Sequence, residues 1–227
     1  RKIHFAYTGA YPDAPQPSAF TPVSLASVAN MDTSDQGAQG VLPWMDGEKG
    51  NDLRTLPVGT IKVGNVPFQT LDPAKNGRRA VLAVGRAGLP ASVEVPMGNR
   101  RAGAIYLLHT SSLGKEAERR RGAGEPVAAG LTIKYQDGSQ RGLYLRRAQH
   151  VGGWWYPALK GPDAGVAWTG SNVKTPNVGL TWAVIENPQP DKPIASLIVQ
   201  SSVENVTYAL AGVTLADRMP YHAPSLV

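Results

Sequence analysis

The chain predicts an all-β fold: two antiparallel sheets packed face to face as a jelly-roll β-sandwich. Three observations carry that expectation. About a dozen short segments alternate apolar and polar residues at period two, with turn residues between them. No window shows convincing helical spacing. Gly 25 and Pro 19 make up about a fifth of the 227 residues, too many chain-breakers for a helical protein and suited to frequent turns. The number of strands favours a jelly-roll over an immunoglobulin-like sandwich. No internal repeat of fixed period is visible.

Residues 1–21 read as an arm. Lys2–Tyr7 has strand character, but Pro12, Pro15, Pro17 and Pro22 stiffen the chain beyond it. Val23–Val28 is the first good strand. Asn30–Asn51 is a polar, glycine-rich loop, too long for an idle connection and of the length that ligand-bearing loops have. Val58–Val63 and a strand opening at Val66-Pro67-Phe68 come after it, the latter ended by Asp72-Pro73. Ala80–Val84 and Ala91–Val95 come next. Ala102–Ser111 is a long apolar run, expected in mid-sheet and buried on both faces, with His109 as a core histidine.

A basic loop, Ser112–Glu125, leads into the clearest hairpin. Leu131, Ile133 and Tyr135 alternate with Thr132 and Lys134. Asp137-Gly138 supplies a tight turn with positive φ at Gly138, and Leu143 and Leu145 carry the return strand. Gly152-Gly153 then takes the chain out of the sheet and delivers Trp154, Trp155 and Tyr156. Gly161–Gly165 is a turn. Val166–Val173 and Gly179–Glu186 are strands, and Asn187–Pro193 is a proline-locked loop. Pro193–Ser201 and Val206–Leu215 complete the sheets. The domain therefore spans residues 22–216, with 217–227 as a tail.

The totals narrow the function. With no cysteine, disulfides and thiolate metal sites are excluded. The net charge of +6 permits attraction to acidic polymers without identifying one. The longest basic run, Lys115–Arg121, reads as a solvated loop, and no nucleic-acid-binding module accompanies it. No apolar run is long enough to span a bilayer. The first residue is Arg1, which suggests a mature or excised piece of something longer.

Two constellations stand out. Trp44 in the long loop and Trp154, Trp155 and Tyr156 after the glycines are candidates for stacking on the apolar C–H face of a sugar. The alternative is that they plug a sandwich corner. Trp168 and Trp182 sit inside strand patterns and belong to the core or a sheet face. Asp46–Asp52, DGEKGND, gathers acids, an amide and glycines. Asp46, Asn51 and Asp52 are candidate calcium ligands; the alternative is an ordinary Asx turn. Asp46 and Asn51 could also bond sugar hydroxyls. The carboxylates available for glycosidic hydrolysis show no facing pair, and no nucleophile-elbow, phosphate-loop or dinucleotide motif is present.

Several short motifs occur together: Trp44-x-Asp46, Gly50-Asn51-Asp52, Leu56-Pro57-x-Gly59, Val66-Pro67-Phe68, a strand ending near His109, Tyr135-x-Asp137-Gly138, and Trp182 with Glu186-Asn187-Pro188 and Ile194. In these, the chain resembles the galactose-binding-like jelly-roll domains that serve as accessory modules in large secreted bacterial proteins, many of them glycoside hydrolases. The resemblance covers about residues 22–216. It implies a noncatalytic, extracellular or cell-surface module that needs no cofactor, binds a polysaccharide or glycan, and often carries a structural calcium ion. The doubled Trp154-Trp155 and the arginine-rich Lys115–Arg121 depart from the pattern. Two other readings stay open. One is a structural module holding protein neighbours in an extracellular assembly. The other is a lyase or hydrolase of an acidic polysaccharide.

Overall fold

Twelve strands and no helix make up the described part of the computed structural model, residues 16–17, 19–45, 48–113, 126–159, 161–202 and 206–220. The strands are β1 (Phe20–Val23), β2 (Gly59–Val63), β3 (Val66–Thr70), β4 (Leu82–Val84), β5 (Ser92–Arg100), β6 (Ala104–Leu113), β7 (Val127–Tyr135), β8 (Gln140–Arg146), β9 (Ala164–Gly170), β10 (Val178–Glu186), β11 (Ile194–Ser201) and β12 (Val206–Ala216). The larger sheet runs β1-β12-β6-β10-β9, with β4 also paired to β12; the smaller runs β5-β11-β7-β8. The pairings are antiparallel throughout. The two sheets pack as a β-sandwich.

Alternation within the strands builds the core between the sheets. Leu82, Ile105, Leu107, Tyr208, Leu210 and Val213 of the larger sheet meet Val95, Met97, Leu131, Ile133, Leu197 and Val199 of the smaller. The larger sheet has a second apolar face. Ala104, Tyr106, Leu108, Leu180, Ala209 and Ala211 point the other way, toward Met31, Trp44, Leu53 and Phe68. The β2–β3 hairpin and the long loop after β1 thus form an outer layer. This is why all eleven residues of β12 are buried: the strand is covered on both faces. Gly212, at a bulge in β12, leaves room for the hairpin, since a Cβ there would lie 3.3 Å from the Phe68 side chain.

Several expectations change. The sheet begins at Phe20, inside the expected arm, because Pro22 sits on an edge strand, where a missing N–H is tolerated. Val23–Val28 is not a strand. After Val23 the chain turns, with the N–H groups of Val28 and Ala29 both donating to Leu25 O, while Leu25 still buries its side chain in the central core. Strand β5 runs past Val95 to Arg100 through an edge proline, Pro96, and β9 stops at Gly170. Gly138 has φ +85° as expected. The turn is wider than two residues, however: Gly138 N donates to Tyr135 O and Tyr135 N to Ser139 O, a three-residue loop closing on a left-handed glycine. Lys2–Tyr7 and Lys115–Arg121 lie outside the described residues.

The largest departure is at Gly152-Gly153. The chain does not leave the sheet there; it enters it. Strands β6 and β10 pair up to His109↔Thr181 and then separate. Residues 152–155 fill the opening. Ser111 N donates to Gly152 O, Trp154 N to Ser111 O, and Gly179 N to Trp154 O. Gly153 bridges Ser111 in parallel sense, and Trp155 bridges Val178 in antiparallel sense. Glycine is required by closeness: a Cβ on Gly152 would stand 2.7 Å from Thr181 Cγ2.

Candidate functional site

The inserted segment fixes where its rings go. Backbone pairing on both sides points Trp154 into the outer core, where it is 5% exposed, and presents Trp155 and Tyr156 at 43% and 56% exposure. Trp44 is fully buried. The three tryptophans form a chain from interior to surface. Trp44 meets Trp154 edge-on at 5.7 Å between centroids, and Trp154 meets Trp155 edge-on at 5.8 Å. Trp44 and Trp154 therefore cannot stack on a ligand in solvent; alternation along the inserted segment turns one ring of the pair inward. Trp168 and Trp182 are half-buried against the outer layer, as expected of sheet-face residues.

Three loops converge beneath Trp155. Its Nε1–H donates to Asn51 Oδ1 at 3.0 Å, and Asn172 Nδ2 donates to the same oxygen at 3.2 Å and to Asp52 O at 3.1 Å. Asn172 Oδ1 in turn accepts from the N–H groups of Lys174 and Thr175. Val173 N donates to Gly50 O, and Lys174 pairs with Glu48 at 2.7 Å. Asn51 is thus a buried support for the exposed indole, not a surface group awaiting a hydroxyl. Sequence reasoning misses Asn172. Its only signal along the chain is a polar turn, Ser171–Asn177, after a strand.

The acids beside Asn51 are also engaged. Asp52 is fully buried and accepts from Arg54 Nε at 2.9 Å, Arg54 Nη2 at 2.6 Å and Asp35 N at 2.9 Å. Burial pushes its carboxyl up, but the bonds from Arg54 and from backbone amides outweigh this and hold it below the usual carboxylate range. Asp35 completes the clasp, accepting from Arg54 Nη2 and from Gly50 N. A cation at Asp52 would have to displace Arg54. Asp46 lies outside the described residues. Among the described residues no group of three or more His, Cys, Asp or Glu side chains is placed to hold a metal ion.

Among the described residues, positive φ occurs at the non-glycine residues Met45, Arg78, Asn99, Ala148 and Tyr156. Tyr156 has φ +44° and Met45 φ +37°, both in the left-handed region where bulky residues are outliers. Such strain persists only where the surroundings over-determine it, and it gathers at ligand clamps. Tyr156 is held by its N–H to Asn177 O, Met45 by burial. The surface is therefore a rigid aromatic step, Trp155 then Tyr156, over a closed amide network. No protein-family model, curated protein or solved structure matches the chain, so its function is read from this surface.

Proposed function

We propose that the chain is a noncatalytic carbohydrate-binding module of a larger secreted protein, engaging a polysaccharide at Trp155 and Tyr156. The observation that carries this reading is an exposed indole locked at its nitrogen by Asn51 and braced edge-on by Trp154. With its only donor used internally, Trp155 offers solvent nothing but ring. A pyranose C–H face is the complement of such a ring, and little rotamer entropy is left to lose on contact. Asp35 and Asp52, on the loop that carries Asn51, are tied to Arg54, which supports binding over proton transfer. The nested order of first and last strands supports the jelly-roll, galactose-binding-like reading of the sandwich.

The test pairs glycan-array binding with thermal melts. Trp155→Ala should weaken binding by about 1–2 kcal/mol, the scale of one aromatic contact plus its buried area, and leave the fold standing. Trp154→Ala should instead cost about 3–5 kcal/mol of stability. The interior position of Trp44 and Trp154 favours a second reading, a structural module in an extracellular assembly. Failure of the intact chain to bind any glycan, with Trp155→Ala silent, would select it.

A further inference from the structure

The chain contains one Asn-Gly pair, Asn76-Gly77. Asparagine is a labile residue. It is most so before glycine, where no side chain shields the next backbone nitrogen from the amide carbon. The pair sits in the turn between β3 and β4. Lys75 N and Asn76 N both donate to Asp72 O there, Arg78 N to Pro73 O and Arg79 N to Asn76 O. Gly77 is exposed, with φ +56°. Its own N–H donates to nothing among the described residues.

A cation stands against the pair. A Cβ on Gly77 would lie 3.4 Å from Arg79 Nη1. Positive charge at that place favours loss of the Gly77 amide proton and the anion formed when the nitrogen attacks. The turn's other charges are Lys75, Arg78 and a single acid, Asp72, which pairs with Lys75. The Asp-Gly pairs differ. Asp46-Gly47 lies outside the described residues. At Asp137-Gly138 the attacking nitrogen already donates to Tyr135 O. The Asp137 carboxylate is held ionised by Lys192 at 2.6 Å and by Ser139, which makes it a poor target for a nucleophile.

We propose that Asn76 is a site of spontaneous covalent modification, converted to an acid by the Gly77 nitrogen with help from Arg79. Gly77 N gives its proton to solvent base and bonds to Asn76 Cγ. The Cγ–Nδ2 bond breaks, and Nδ2 takes a proton from water and leaves as ammonia. Water then opens the cyclic imide at either carbonyl, giving aspartate or isoaspartate. The product does not suit its place. Asn76 Nδ2 donates to Arg79 O at 3.0 Å and to Ala26 O at 3.3 Å, both at the surface, where water replaces such bonds at little cost. A carboxylate cannot donate, and it sets negative charge against both carbonyls. The same turn carries Arg78, which pairs with buried Asp32 at 2.7 Å. Conversion therefore adds a negative charge and loosens the turn on which the long loop rests.

The test incubates the folded full chain in mildly alkaline buffer. Its peptides are mapped by mass spectrometry, and isoaspartate is scored by enzymatic methylation. Acid should accumulate at Asn76 before any other asparagine, faster as the pH rises, with no isoaspartate at Asp137. Gly77→Ala should slow the reaction at least about tenfold by shielding the nitrogen; should that variant fail to fold, Asn76→Gln should abolish the mass gain. Arg79→Gln keeps the backbone of the turn, and it should slow the reaction and reduce its dependence on salt. Asn76→Asp, standing in for the product, should melt below the parent. Conversion first at another asparagine, conversion only when urea unfolds the chain, Gly77→Ala or Arg79→Gln reacting at the parental rate, or Asn76→Asp melting with the parent would each overturn the proposal.

Discussion

Protonation of His109 is where a single residue should govern stability. The ring is fully buried between the sheets. Its Nε2 lies 3.0 Å from His150 O and its Nδ1 2.8 Å from Tyr208 Oη. A carbonyl only accepts, so Nε2 carries the proton and Nδ1 accepts from the tyrosine. Burial drives the pKa down to about 3. The unfolded chain protonates near the ordinary value of about 6.5, so below that pH the unfolded state binds a proton that the native state refuses. Stability is then full above about pH 6.5 and falls with pH at up to about 1.4 kcal/mol per unit. His150, lowered mainly by burial as well, adds to the same trend. Asp52, lowered from 3.8, contributes only at more acid pH. Urea unfolding at pH 6 and pH 4.5 should therefore differ by about 2 kcal/mol. His109→Gln should lose most of that difference. An equal slope in parent and variant would remove His109 from the explanation.

At the scale of elements, the inserted segment 152–155 decides the site, because it holds Trp155 outward through hydrogen bonds to both parted strands. Gly152 is its tightest point: its N–H donates to Thr181 Oγ1 at 3.1 Å, and that hydroxyl donates to His109 O. Gly152→Ala should cost about 1–3 kcal/mol by overpacking, since its methyl would meet Thr181 Cγ2 at 2.7 Å. Thr181→Ser deletes that methyl and keeps the hydroxyl. The double variant should recover most of the loss, a coupling that denaturant titration of the four proteins reads directly. Strict additivity would mean the clash is absent and the segment lies elsewhere. The clasp of Asp35, Arg54 and Asp52 plays a matching part for the long loop, holding Gly50 and Asn51 under the indole.

On the scale of the molecule, one sheet serves two apolar layers. Neighbouring residues on β6 show it: Leu107 faces the core between the sheets and Leu108 the outer layer, both fully buried. Leu107→Ala and Leu108→Ala should each cost about 2–5 kcal/mol. Because the layers share β6, β10 and β12, each variant should still unfold in one cooperative step by calorimetry. An additional low-temperature transition in Leu108→Ala would show that the outer layer melts on its own.

The sequence by itself determined the class of fold and most strands, because alternation and turn residues are local and each strand's inward face is written at period two. It placed Gly138 at positive φ, His109 in the core and Ala102–Ser111 in mid-sheet for the same reason. The tertiary structure alone decided the site. Whether Trp154 or Trp155 faces solvent depends on the gap between β6 and β10, a pairing of segments distant in the chain. The role of Asn51 depends on Asn172 and Trp155, each more than a hundred residues away. The long loop reads as polar, yet it and the turn after it supply Met31, Trp44 and Leu53 to a layer that exists only once the sheet offers its second face. Burial is a property of what comes to lie opposite a residue, and composition along the chain does not contain it.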